Sequence, residues 1–184
     1  MSKKGWIILA VVVVLVGYVW TSYNGFVTAS EGVTNQWAQV ETQYQRRVDL
    51  IPNLVESVKG VMAQEQTIFT ALADARTKYT GAQSTDEKAA AAGQVEGALG
   101  RLLAVVENYP QLKSSENVQT LMAQLEGTEN RVSVERKRYN DMVQVYNLKV
   151  KTFPSSIVAK VFGFSDHAYF EAAAGAENAP KVSF

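Results

Sequence analysis

The stretch KKGWIILAVVVVLVGYVW at residues 3–20 decides the fold, because two lysines are followed there by an unbroken apolar run. The run from Trp6 to Trp20 spans about 22 Å as a helix, and the aromatic residues after it extend it toward the ~30 Å of hydrocarbon in a bilayer. Trp6 and Trp20 lie at its two ends, where indole rings favour the headgroup layer. Residues 1–26 are therefore predicted to be a transmembrane helix and its flank.

A cleaved signal peptide also begins with a charged segment and an apolar core. However, residues 19–23 place Trp and Tyr where a signal peptidase prefers small side chains, so we favour a retained anchor. Lys3 and Lys4 precede the run, and no Lys or Arg follows it until Arg46. This asymmetry predicts a cytoplasmic N-terminus, with the rest of the chain on the periplasmic or outer side of the inner membrane.

Composition excludes several classes of function. Eighteen Lys and Arg balance eighteen Asp and Glu, so no basic surface is expected for nucleic acid. The absence of Cys excludes disulfides and thiolate ligands, and His167 has no second His to share a metal. Without convergent acid, base and nucleophile, we assign no catalytic, cofactor-binding or metal-binding residue and predict that the chain is not an enzyme.

A heptad pattern extends from Val33 to Tyr79, in alternating steps of four and three residues, as in a helix packed along another helix. Its members are Val33, Trp37, Val40, Tyr44, Arg47, Ile51, Leu54, Val58, Val61, Glu65, Ile68, Leu72, Ala75 and Tyr79. Pro52 lies inside the pattern without changing its phase. The pattern therefore predicts one helix from about Thr28 to Tyr79, with a kink near Pro52.

A second helix is predicted from Ser84, which is followed three residues later by Glu87 in a capping box, and it ends at Pro110. This helix contains several small residues. Because each Gly costs a helix about 1 kcal/mol against Ala, its glycines predict close approach of another backbone. They are Gly93, Gly97 and Gly100.

A third, long helix is predicted from a cap at Ser114 or Ser115 to about Phe153. No segment after the anchor shows the alternation of a half-buried strand. The predicted fold is therefore all-α, with a transmembrane helix followed by a long antiparallel helical bundle over residues 27–153. Residues 154–184 are predicted to be an amphipathic segment and a tail with little fixed structure, or with structure only against a neighbour.

Polar residues occupy positions where the heptad pattern predicts apolar ones. They are Arg47, Glu65, Glu129 and Arg136. One interpretation is a buried ionic cluster, with Arg47 and Glu65 paired, that fixes the register of the helices. The other is that the pattern drifts around each helix and leaves some of them in water. Asp49 and Asn53 flank Pro52, and we add them to this predicted polar core because either can satisfy backbone groups that the proline frees.

The dipeptide Tyr-Asn occurs three times, at residues 23, 139 and 146. The last two copies are one heptad apart and share a helix face. An antiparallel return would bring residues 139–153 close to the membrane, together with the segment after Pro154. The predicted membrane-interface residues are Trp6, Trp20, Tyr23, Ile157, Phe162 and Phe164.

The chain resembles the LemA family over nearly its whole length. The most specific match is RRVDLIPNLV at residues 46–55, and the others are Tyr23-Asn24, Trp37-x-x-Val40, Val58-Lys59-Gly60, Ala75-Arg76, Tyr109-Pro110-x-Leu112, Glu129-x-Arg131, Arg138-Tyr139-Asn140, Tyr146-Asn147, Phe153-Pro154 and Gly163-Phe164. The resemblance implies a bacterial protein with a long antiparallel bundle behind one N-terminal membrane helix, and no established enzymatic activity. Some descriptions of the family place the short N-terminus outside the cell, whereas Lys3 and Lys4 indicate the reverse.

Two functions remain open. A membrane-anchored, non-enzymatic scaffold would self-assemble into a homo-oligomer at the inner membrane. An accessory module would instead bind or regulate a membrane partner, such as a zinc metallopeptidase or a component of the envelope stress response. Genes of the family often lie near such peptidases, which supports the second function by association.

Overall fold

The computed structural model describes residues 2–62 and 64–170, and this part of the chain is helical without strands. The helices are α1 (Lys3–Lys59), α2 (Gln66–Gly81), α3 (Thr85–Val106), α4 (Pro110–Lys113), α5 (Glu116–Lys151) and α6 (Ser155–Phe162). The predicted all-α class is confirmed. The part of the predicted tail at residues 171–184 lies outside the described residues.

The described chain divides into two compact units. The first, unit 1, comprises residues 2–40 and 135–170, and the second, unit 2, comprises residues 41–134. Both α1 and α5 contribute residues to each unit. Each unit is described separately below.

The single helix predicted from Thr28 to Tyr79 is wrong, because the chain turns between α1 and α2. α1 ends at Lys59, and the ring of Tyr79 near the end of α2 lies 6.1 Å from that of Tyr44 on α1, so α2 runs back antiparallel to α1. Met62 in the turn is fully buried. The continuous heptad phase does not show one helix here, because the heptad residues of α1 and those of α2 face the same core. At Pro52, by contrast, α1 continues without interruption and the ring is exposed.

Unit 2 is built around the hairpin of α2 and α3. Apolar positions at three- and four-residue spacing place one buried face on each helix. These faces consist of Phe69, Leu72, Ala75 and Tyr79 on α2, and Ala91, Ala92, Val95, Ala98, Leu99, Leu102 and Val106 on α3. The hydroxyl of Tyr79 donates to the carbonyl of Glu41 at 3.4 Å. Burial raises the pKa of Tyr79 well above its usual value, and Glu41 raises it further, so this hydroxyl remains a donor.

The predicted capping box at the start of α3 is confirmed. The Ser84 hydroxyl accepts the backbone N–H of Glu87 at 3.2 Å, and the Glu87 carboxylate accepts the backbone N–H of Ser84 at 3.2 Å. The same carboxylate accepts the backbone N–H of Gln83 at 2.9 Å. These bonds, that from Gln83 first, lower the pKa of Glu87. The box satisfies donors that the first turn of a helix leaves unpaired.

The glycines of α3 do not mark a close helix contact, so that prediction is wrong. A Cβ built on Gly93, Gly97 or Gly100 meets no heavy atom of the described residues within 4 Å. All three positions are exposed, on the side of α3 opposite the face that packs against α2. Spacing alone does not distinguish a packed glycine row from one that faces solvent.

Unit 1 pairs the first part of α1 with the last part of α5. The ring of Phe26 lies 6.3 Å from that of Tyr146, and the ring of Trp37 lies 5.6 Å from that of Tyr139. Residue numbers rise along α1 as they fall along α5, so the two segments are antiparallel. The shared face is closed by Val33, Val40 and Val143, which are all buried.

Two helices of the described chain, α1 and α3, are long and apolar enough to cross a membrane. The apolar window of α1 is almost wholly exposed, whereas a substantial share of that of α3 is buried inside unit 2. An exposed row of Val and Leu side chains is stable only in an apolar surrounding. The α1 window is therefore the candidate membrane span.

Candidate functional site

Residues 165–170, here called the C-terminal strap, lie along α5 in unit 1 and are held there by two asparagines. The Asn147 amide donates to the carbonyl of His167 and accepts its N–H, both at 2.8 Å. Asn140 makes the same pair of bonds with Phe170, at 3.0 and 2.8 Å. The side-chain amide of each asparagine therefore bonds both the N–H and the C=O of one strap residue, as the backbone of a neighbouring β-strand does. Little fixed structure, or structure only against a neighbour, was predicted from Ser165 onward, and the structure places residues 165–170 along α5 of the same chain.

Aromatic contacts fix the end of the strap. The ring of Phe170 stacks on Trp37, with centroids 6.0 Å apart, and the guanidinium carbon of Arg136 lies 4.5 Å from the centroid of Phe170. The hydroxyl of Tyr139 donates to the carbonyl of Ala168 at 3.4 Å. Arg136, which was predicted to belong to an ionic core, thus contacts an aromatic ring in unit 1.

An ionic cluster lies in unit 2 around Arg47, whose side chain is only 8% exposed. Its guanidinium contacts the carboxylate of Glu129 and lies 3.7 Å from that of Glu96. The structure therefore brings together two of the predicted polar residues, Arg47 and Glu129. The heptad pattern gave no sign of Glu96, which lies one position past the buried Val95. Glu65 lies elsewhere, half-buried at the N-terminus of α2.

Asp49 and Asn53 were predicted to belong to the polar core, but the structure exposes both of them. Asp49 accepts a hydrogen bond from the side chain of Gln45 at 2.8 Å on the outer side of α1. The buried residues around them are Val48, Ile51 and Leu54, so each polar residue lies beside the core-facing side of the helix. A shift of one residue rotates a side chain by about 100° around a helix, which carries it out of the core.

A groove of about 590 Å³ opens beside the ionic cluster. Arg47 and Glu129 line one part of it, and Leu103, Met122 and Leu125 line another. The Nε atom of Arg47 is buried and has no hydrogen-bond partner among the described residues. The groove thus combines an apolar surface with a cation that has bonding capacity left.

An exposed apolar ridge runs along α5 in unit 1, at steps of three residues. Its members are Met142, Val145 and Leu148, of which Val145 is 66% and Leu148 is 62% exposed. Beside the ridge is a groove of about 390 Å³ whose α1 wall consists of small residues. That wall is formed by Thr28, Ala29 and Gly32. The heptad pattern does not include this surface, because its members lie on the buried face of α5 and the ridge lies on the other side.

The predicted membrane-interface residues divide into two groups. Trp6, Trp20 and Ile157 are exposed. Phe162 and Phe164 contact α1, with ring centroids 5.0 Å from Tyr23 and 4.9 Å from Phe26 respectively, although Phe162 and Tyr23 also remain partly exposed. These contacts hold α6 against the part of α1 that follows the apolar run.

No group of three His, Cys, Asp or Glu among the described residues is arranged to hold a metal ion. The single His167 contacts Tyr146, with ring centroids 4.7 Å apart. Near it, the Lys151 ammonium lies 3.2 Å from the Asp166 carboxylate, and their hydrogen bond lowers the pKa of Asp166. The features of the described chain that offer interactions are therefore its grooves and its exposed apolar faces.

The sequence pattern of the LemA family matches residues 36–184, and the chain belongs to this family. It is similar to two magnetosome proteins of Paramagnetospirillum magneticum, MamQ 1 and MamQ 2, each 30% identical over 81% of this chain and 64% of the relative. Magnetosome protein MamQ of Magnetospirillum gryphiswaldense is 29% identical over 80% of this chain and 64% of the relative. The chain thus spans a little less than two thirds of the length of these curated relatives.

Proposed function

We propose that this LemA-family protein is a non-enzymatic scaffold, held in the bacterial inner membrane by the apolar run of α1, and that it self-associates there. The near-complete exposure of the apolar window of α1 supports the anchor. Lys3 and Lys4 support a cytoplasmic N-terminus, with the helices after the span on the other side.

The observation that carries self-association is the apolar ridge of α5 beside the small-residue groove. A ridge and a groove adjacent on one face are self-complementary. A two-fold axis between two copies places the ridge of each in the groove of the other, as in an isologous dimer contact. Val145 and Leu148 would then lose the water that surrounds them in a single copy, which favours association.

Charge supports the same function. The chain has a formal net charge of zero, so two copies approach without strong repulsion. A shared membrane also keeps copies at one height and in one orientation, which raises the effective concentration of the contacting faces.

The absence of cysteine makes cross-linking a clean test of this contact. When chains with Val145→Cys are co-expressed with chains that carry Ala29→Cys, mild oxidation of membranes should give a disulfide-linked dimer of the two, because the ridge of one copy would enter the groove of the other. Thr34→Cys in place of Ala29→Cys is the matched control, since Thr34 is exposed on the same helix but lies about 200° around it from Gly32 of the groove wall. Equal yields from the two pairs, or no dimer from the pair of Val145→Cys with Ala29→Cys, would contradict the proposed face.

Membrane placement is tested separately. Protease added to spheroplasts should digest the helices after the span, and the intact mass of the membrane-extracted protein should include residues 1–26. Protection of those helices would contradict the orientation. A mature protein that begins near Ser22 would contradict the anchor.

The groove beside Arg47 favours a second function, which is binding of a partner protein. An unused donor of Arg47 beside an apolar surface is suited to a neutral hydrogen-bond acceptor, because Glu96 and Glu129 already supply two negative charges there. Mild-detergent purification distinguishes the two functions. A stoichiometric second protein whose retention depends on Arg47 supports partner binding, whereas large assemblies of this chain alone support the scaffold.

A further inference from the structure

Helix α6 has an apolar face that nothing in unit 1 covers. Val158 and Ala159 are buried against the unit, whereas Ile157 and Val161 are 56% and 72% exposed. Phe153, just before the helix, is exposed as well. Ile157 and Val161 are four residues apart within α6, which places these two side chains on one side, here called the outer face of α6. Two large apolar side chains on one exposed face, with the exposed Phe153 just before the helix, call for an apolar partner.

The position of this face is fixed by contacts with α1. Phe162 and Phe164 pack on Tyr23 and Phe26, with ring centroids 5.0 and 4.9 Å apart. Tyr23 follows Trp20, the last residue of the apolar run, by three residues, or about 4.5 Å of helix. The outer face of α6 therefore lies at the end of the candidate span.

The apolar surface is continuous between the span and α6. A groove of about 540 Å³ is lined by Leu15, Val16, Val19 and Trp20 of the apolar run and by Phe162 of α6. Tyr23 and Asn24 complete its lining. A groove that begins inside the candidate span and ends at α6 has lipid as its natural occupant, because acyl chains surround every exposed side chain of a span.

We propose that α6 lies in the interfacial layer of the bilayer that α1 crosses. In this arrangement its outer face contacts lipid, and an acyl chain fills the groove between α6 and the span. The exposed Lys160 sits next to Val161 and reaches the lipid phosphates from there, as basic side chains do at membrane surfaces. This inference rests on the proposed span and is independent of self-association.

The test uses the full chain with single nitroxide labels, reconstituted at one chain per nanodisc so that copies cannot cover one another. Labels replace Val161 on α6, Val14 in the span, and Asn35, which is exposed on α1 about 22 Å beyond Trp20. Collision with oxygen, which concentrates in lipid, is compared with collision with a water-soluble nickel complex. We expect the oxygen-to-nickel ratio at residue 161 to shift from the value at residue 35 toward that at residue 14.

Each other outcome has a distinct meaning. A ratio at residue 161 equal to that at residue 35, with residue 14 in lipid, overturns the placement of α6 and leaves the span intact. Low access of both reagents to residue 161 shows that protein covers the outer face, which also overturns it. A water-exposed label at residue 14 contradicts the span itself, and with it the proposed membrane anchor.

Discussion

Replacement of Glu96 and Glu129 by glutamine should destabilise unit 2 far more than replacement of Arg47 by methionine. The three side chains differ in exposure, at 8% for Arg47, 21% for Glu96 and 44% for Glu129. Loss of both carboxylates leaves the most buried charge without a counter-charge. Loss of the guanidinium instead leaves two carboxylates that water already reaches.

The expected losses in free energy of unfolding follow from this difference in exposure. A buried charge that loses its partners costs about 3–5 kcal/mol, which is our expectation for the double glutamine variant. Arg47→Met keeps an apolar stem in the same space and gives up ion pairs to partly hydrated carboxylates, so about 1 kcal/mol is expected. The triple variant, with methionine and both glutamines, should recover most of the loss, because no buried charge then remains.

The assay is equilibrium unfolding by guanidinium in a mild detergent, followed by far-UV circular dichroism. Glu41→Gln serves as the control, because Glu41 pairs with Lys88 at a site where both side chains are partly exposed, and its loss should cost less than about 1 kcal/mol. If Arg47→Met proved more destabilising than the double glutamine variant, the reasoning from exposure would be refuted.

Three further expected outcomes concern α3. Alanine at all three of its exposed glycines should raise the free energy of unfolding by about 2–3 kcal/mol in total, as thermal unfolding would show, and a loss would indicate that another surface covers them. Ser84→Ala should lower it by about 1 kcal/mol in the same assay, because the capping box loses its acceptor. The pKa of Glu87 is lowered in the folded chain. Its carboxylate therefore contributes fully to the free energy of unfolding when the pH is above the ordinary pKa of 4.5, and this contribution is lost as the pH falls through the lowered pKa. Glu87→Gln should therefore flatten the acid side of the stability profile, and an unchanged slope would contradict this.

Local signals in the sequence predicted local structure correctly. The capping box at Ser84 depends on residues within one helical turn, and the helix that follows it begins at Thr85. The apolar run from Trp6 to Trp20 likewise lies within one uninterrupted helix. Both features are specified by neighbours in the chain, so no knowledge of the tertiary fold is needed to read them.

The turn after α1 shows where periodicity misleads. The heptad phase continues from Val58 through Val61 to Ile68, although the chain reverses in between. Lys59 followed by Gly60 was a usable stop signal, because a basic last turn and a glycine just past the end are typical of a helix C-terminus. The continuous heptad phase nevertheless favoured one helix across residues 59–66. Two antiparallel helices that face one core can share a phase by chance.

Long-range partners could not be read from the sequence. Arg47 was identified as a buried cation, but its neighbour Glu96 lies on α3, and only the tertiary fold brings the two together. The Tyr-Asn repeat likewise does not indicate which residues its asparagines bind. Asn140 and Asn147 bond to a strap whose own sequence has no periodicity that would mark it as structured.

The spacing of these two asparagines leads to a final prediction. Seven residues of α5 rise about 10.5 Å, and the three residues from His167 to Phe170 reach that distance only when nearly extended. Deletion of Tyr169 leaves two residues, which reach about 7 Å, so the two asparagines cannot both hold the strap. One of the two strap amides should then lose about 2 kcal/mol of protection, or about thirtyfold in hydrogen exchange, for two hydrogen bonds lost. Tyr169→Ala, which keeps the spacing, should leave both amides slow to exchange. Equal protection of both amides in the deletion variant would show that the register of the strap is not set by the heptad spacing of Asn140 and Asn147.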